Sequence, residues 1–102
     1  DGSYVLKRLK QYNGIAEESS NDEILDAILL LAKTEGIFTE PAGGVSVAVL
    51  KKMVDDGRID RDETTVCYVT GNGLKATESL MEILPKPQLM QPDIAKISAV
   101  VK

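Results

Sequence analysis

Thr70 ends the apolar run "TTVCYV" and opens the glycine-rich "TGNG". A hydroxyl in that position can donate or accept a hydrogen bond without bringing charge into a covered region. Earlier in the chain, "EPAGG" offers a second set of groups. Glu40 supplies a carboxylate, Pro41 fixes the backbone beside it, and Gly43 and Gly44 let a helix begin against something that would collide with a Cβ. Gly71 and Gly73 likewise leave room for close approach. Ligands of open α/β sheets collect at the carboxyl ends of strands, so a strand-end alcohol near a loop carboxylate suits one wall of a small-molecule site. On composition alone a plain loop and turn comes ahead of a binding site as the reading of these strings.

Other chemistries fall away on residue type. There is no histidine, which removes Ser-His-Asp and Cys-His catalysis and every histidine-bearing zinc site. Cys67 is the single cysteine, has no base beside it in sequence and reads as a buried structural thiol. "GNG" followed by Lys75 lacks the four residues between glycines, and the hydroxyl after lysine, of a phosphate loop, and the third glycine of a dinucleotide fingerprint. Lys75 reads as a surface residue at a helix start. Aligning Glu63 with the last position of a calcium loop puts Lys52 and Val54 where oxygen ligands are required, so "RIDRDE" is a solvated turn.

These groups need elements to hold them. "SYVLKRLKQYNG" carries Val5, Leu6, Leu9 and Tyr12 at helical spacing, with Gly14 as a stop. "IAEESS" is expected to be a short extended segment. Ser20 and Glu23 form a capping box that starts a helix over about residues 21–35, ended by Gly36. A second helix is predicted over about residues 44–56, closed by Gly57. "TTVCYV" has the β-branched, nearly continuous apolar character of a strand covered on both faces. "LKATESLMEIL" resumes helical spacing until Pro85, residues 85–92 form an extended arm, and "DIAKISAVVK" ends the chain as a short element. Helices alternating with buried strands predict an α/β layer with parallel pairing. Two strands cannot cover their own faces, which predicts that the rest of the sheet lies outside these residues.

The chain has 102 residues, 43% of them apolar and 27% charged, which are globular proportions rather than disordered ones. Its net charge of −4, with no basic stripe, argues against nucleic acid as a partner. "AILLLA" is too short to span a membrane, which needs about 20 apolar residues. The lone cysteine and the lack of a signal peptide predict a cytoplasmic location.

The segment "TEGIFTEPAGGVSVAVLKKMVDDGRIDRDETTVCYVTGNGLKATES", residues 34–79, resembles the C-terminal part of the threonine synthase family, and "DGSYVLKRL" resembles the family's segment following an Asn-Pro-Ala. The likeness covers about residues 1–80 and is strongest at "EGIFTEPAGG" and "TGNGLK". Relatives such as threonine dehydratase and serine racemase share the glutamate-proline loop but read Ser-Gly-Gly-Asn in place of "TGNG". Cysteate synthase is a further alternative.

The resemblance implies an α/β fold: part of a three-layer αβα domain of the tryptophan synthase β-like superfamily, with few strands of its own. In that reading residues 1–84 are the C-terminal portion of the large domain that binds pyridoxal phosphate (PLP), and residues 85–102 are an arm. The implied cofactor-binding residues are Thr70, Glu40, Gly71 and Asn72. Thr70 would meet the pyridine nitrogen, Glu40 would lie near the ring edge, and Gly71 and Asn72 would form the turn that presents Thr70. The implied reaction converts O-phospho-L-homoserine and water to L-threonine and phosphate. Its Schiff-base lysine and phosphate-holding loop match no stretch here, so the segment alone is expected to be inactive and to work with the remainder of the enzyme, as a homodimer. A reading of a different class is a non-catalytic α/β module that binds a partner through its helical faces.

Overall fold

The computed structural model describes residues 1–100. Helix α1 runs Gly2–Gln11, and of its side chains only Leu9 is even half-buried. Helix α2, Asn21–Glu35, begins with the expected capping box. Ser20 Oγ accepts from the Glu23 amide at 3.3 Å, and the Ser20 amide donates to Glu23 Oε2 at 2.7 Å. Two orphan amide donors of the first turn are thereby satisfied by one pair of side chains. Gly36 ends α2 at φ +68°, a left-handed conformation that costs glycine nothing.

Helix α3 runs Pro41–Asp55, starting earlier than residue 44. The "EPAGG" stretch was expected to be a loop, yet Pro41 occupies the first helical turn, where its missing N–H is no loss and its fixed φ suits the helix. Glu40 is therefore the cap residue, in extended conformation, rather than a residue of a free loop.

Helices α2 and α3 pack against each other and hold most of the core: Ala27, Ile28, Ala48 and Met53 are buried, Ile28 to 1% exposure. Gly44 sets their separation. A Cβ there would sit 2.8 Å from Ile28 Cγ1 and 3.0 Å from the Ile24 carbonyl oxygen. Polar ties join the entry of α2 to the exit of α3. Lys52 meets Glu23 at 3.0 Å and donates to the Glu18 carbonyl at 2.9 Å, while Arg58 pairs with Glu17 and Asp56, each at 2.8 Å.

The predicted strand "TTVCYV" is not one: among the described residues there is no strand, and the only β pairing is an isolated antiparallel bridge between Thr39 and Asn72. A strand is defined by a neighbour that takes its amides and carbonyls, and residues 64–69 meet none here. "LKATESLMEIL" also departs from expectation. It forms a 3-10 turn, Gly73–Lys75, and a four-residue helix α4, Glu78–Met81, instead of one helix to Pro85. Leu80 of α4 is buried. Residues 85–92 carry no helix, and α5, Ile94–Val100, is exposed throughout. The radius of gyration is 18.6 Å, against about 13 Å for a compact chain of this length. No helix among the described residues is long and apolar enough to cross a membrane.

Candidate functional site

Two loops far apart in sequence are spliced at the N-terminus of α3. The Glu40 amide donates to the Gly71 carbonyl at 3.1 Å, and the Gly73 amide donates to the Phe38 carbonyl at 3.0 Å. Thr39 and Asn72 face each other between these bonds. Thr39 is 1% exposed, and its hydroxyl lies 3.1 Å from the Gly71 carbonyl and 3.2 Å from that of Glu40. A buried hydroxyl left unbonded would be costly, so these contacts hold Thr39 in place and pin the turn with it.

The glycines around the splice are filled by the chain's own side chains. A Cβ on Gly43 would fall on the Thr39 hydroxyl, and one on Gly71 would fall within the Glu40 carboxylate. A Cβ on Gly73 would lie 2.6 Å from the Phe38 ring. The room that the glycines of "TGNG" leave is thus taken from within, by Glu40 and Phe38.

The Glu40 carboxylate lies along Gly71 and reaches Lys75 Nζ, 3.1 Å from its Oε2; the Glu40 side chain is 20% exposed and that of Lys75 67%. Asn72 caps the 3-10 turn, its Oδ1 accepting from the Leu74 amide at 2.9 Å. That turn aims Lys75 back at Glu40. Thr70, the residue before the splice, is exposed.

The two strings singled out by residue type therefore meet: Glu40, Gly71 and Asn72 form one cluster, and Thr70 is held at its rim. Lys75 is an exposed residue in a helical turn, as expected, yet it belongs to the cluster as the partner of Glu40. Cys67 is half-buried, outside any strand. It was expected to be a buried thiol in a covered strand, and without a sheet neighbour one side of it stays open. Sequence reasoning missed Thr39. The available signal was a hydroxyl directly before Glu40 with a glycine four positions later, the spacing at which a helix start folds back on its entry.

A family profile described as pyridoxal-phosphate dependent enzyme matches residues 1–71, which span α1, the α2–α3 pair and the first residues of the splice. The chain belongs to that family of PLP-dependent enzymes. Within it, the chain is similar to threonine synthases. It is 42% identical to the threonine synthase of Methanocaldococcus jannaschii over 98 residues, covering 96% of this chain and 24% of that protein. It is 41% identical to that of Methanosarcina acetivorans over 93 residues, covering 91% and 23% respectively. Identity to the threonine synthase of Mycobacterium tuberculosis is 45% over 81 residues, covering 79% and 22%. The chain spans about a quarter of the length of these relatives.

The donor set at the splice suits the edge of the family's cofactor. Glu40 is paired with Lys75 and Asn72 Oδ1 accepts from the Leu74 amide, while the exposed Thr70 hydroxyl is a neutral group able to bond a pyridine nitrogen.

Proposed function

We propose that this chain supplies one wall of the PLP site of a threonine synthase, which converts O-phospho-L-homoserine and water to L-threonine and phosphate. When bound, PLP supplies an electron-withdrawing ring for chemistry at the amino-acid carbons. Thr70 donates its hydroxyl hydrogen to the ring nitrogen. A carboxylate there would favour a protonated nitrogen, whereas an alcohol leaves the nitrogen neutral and the ring a milder electron sink. Glu40 bounds the pocket at the ring edge, and Gly71 with Asn72 forms the turn that fixes Thr70. The lysine that binds the cofactor and the groups that hold both phosphates come from the remainder of the enzyme.

The carrying observation is the splice, whose main-chain bonds bring the Glu40 and Thr70 segments side by side. In the same reading residues 1–84 belong to the large domain of a three-layer αβα fold, residues 64–69 pair with strands of the remaining chain, and residues 85–102 form an arm. The working enzyme is a cytoplasmic homodimer. Replacing Thr70 with Ala in the full-length enzyme tests the assignment. The expected outcome is a shifted absorbance band of the bound cofactor and a fall in kcat of about 10-fold, the effect of losing one neutral hydrogen bond. An unchanged band and unchanged kcat would remove the role.

A further inference from the structure

We infer that Lys75 is a positioning residue for the cofactor site: it holds the Glu40 carboxylate in the slot left by the missing Cβ of Gly71 and offsets its charge there. This inference rests on the PLP-site reading above.

Three observations converge on it. The Glu40 side chain is largely covered, at 20% exposure, and its Oε2 meets Lys75 Nζ at 3.1 Å. The carboxylate occupies the space that any side chain at position 71 would fill. The Asn72 cap and the 3-10 turn it starts bring Lys75 round to face Glu40 across the splice, while the Glu40 amide is itself fixed to the Gly71 carbonyl. Glu40 is thus held at both ends, by its amide and by its carboxylate, and Lys75 supplies the second hold.

Covered carboxylates are costly unless paired, and Glu40 sits at the head of α3 with its amide bonded to the carbonyl of Gly71, the residue after Thr70. Without the ammonium, the carboxylate either swings out to water or stands as a bare negative charge beside the residue that meets the ring nitrogen. A bare charge draws a proton onto that nitrogen and undoes the effect of a neutral alcohol at Thr70. The Lys75–Glu40 pair keeps the wall neutral and its shape fixed. Lys75 is 67% exposed, so its hold is modest and screened by salt.

The test uses the full-length holoenzyme carrying Lys75→Met, Lys75→Arg, Glu40→Gln, and Lys75→Met with Glu40→Gln. Lys75→Met is expected to weaken PLP binding about threefold, within the range for a partly exposed ion pair, and to shift the absorbance band of the bound cofactor. Lys75→Arg should restore both. In the Glu40→Gln background Lys75→Met should add nothing, because the carboxylate it holds is gone. Gly71→Ala gives an independent route: its methyl must expel the Glu40 carboxylate and so reproduce the band shift with Lys75 intact. Lys75→Met with unaltered band and PLP affinity overturns the inference, as does a Lys75→Met effect that adds fully to Glu40→Gln. Failure of the PLP-site reading is seen separately, as an unmoved band in Thr70→Ala.

Discussion

At the scale of single residues, the site is held by a side chain that takes no part in any proposed chemistry. Thr39 is buried, and its hydroxyl lies within hydrogen-bond distance of the Gly71 and Glu40 carbonyls. Thr39→Val keeps the shape and removes the hydroxyl, so it is expected to cost about 1 to 2 kcal/mol, read by chemical denaturation. Gly73→Ala acts on the other loop of the splice. Its methyl would press on the Phe38 ring from 2.6 Å, and the forced repacking is expected to cost about 1 to 3 kcal/mol in the same assay. Residue types singled out "EPAGG" and "TGNG", the family resemblance made them one candidate site, and the structure joins them. The Lys75–Glu40 pair was not visible in the sequence, because it depends on which residues lie opposite across a splice that closes over a long stretch of chain, whereas Thr39 left only a short local signal beside Glu40.

At the scale of elements, the helices were legible where local rules decide them. Ser20 with Glu23, and Gly36, mark both ends of α2 through bonds and angles confined to a few residues. "TTVCYV" stands unpaired here for the opposite reason: its apolar, β-branched character states a preference for a sheet, and a sheet needs a partner that these residues do not supply. The early start of α3 was missed because a proline before two glycines reads as a loop, although proline is well suited to a first helical turn. The α2 cap carries a pH dependence. Glu23 is held below its ordinary value of 4.5 by the Ser20 amide first, and then by Lys52. Its support is therefore full above that value and is lost as the pH falls through the lowered one. Glu17 behaves alike, held down by the Glu18 amide and then by Arg58. Acid titration followed by circular dichroism should show helix loss in that window, and Glu23→Gln should flatten it. Between the helices, Gly44→Ala would set a methyl 3.0 Å from the Ile24 carbonyl, a backbone atom with little freedom to yield. The α2–α3 pair is expected to lose about 1 to 3 kcal/mol, measured as a lower denaturation midpoint.

At the scale of the whole molecule, little of the apolar surface around the site is covered. Tyr68 is 78% exposed and Leu74 75%, both close in sequence to Thr70. Such a surface calls for a neighbour. Residues 1–102 expressed alone are expected to aggregate and to develop no absorbance near the visible edge when given PLP, whereas the full-length enzyme should develop it. A monomeric, cooperatively melting segment would favour the interaction-module reading instead. The joint between the two loops bears on redesign. It is dovetailed through main-chain amides, so it is indifferent to the tenant of the neighbouring seat at position 70. An acid or a shorter alcohol could be installed there with the frame left standing, which makes this position a dial for the reactivity of whatever heterocycle is docked against it.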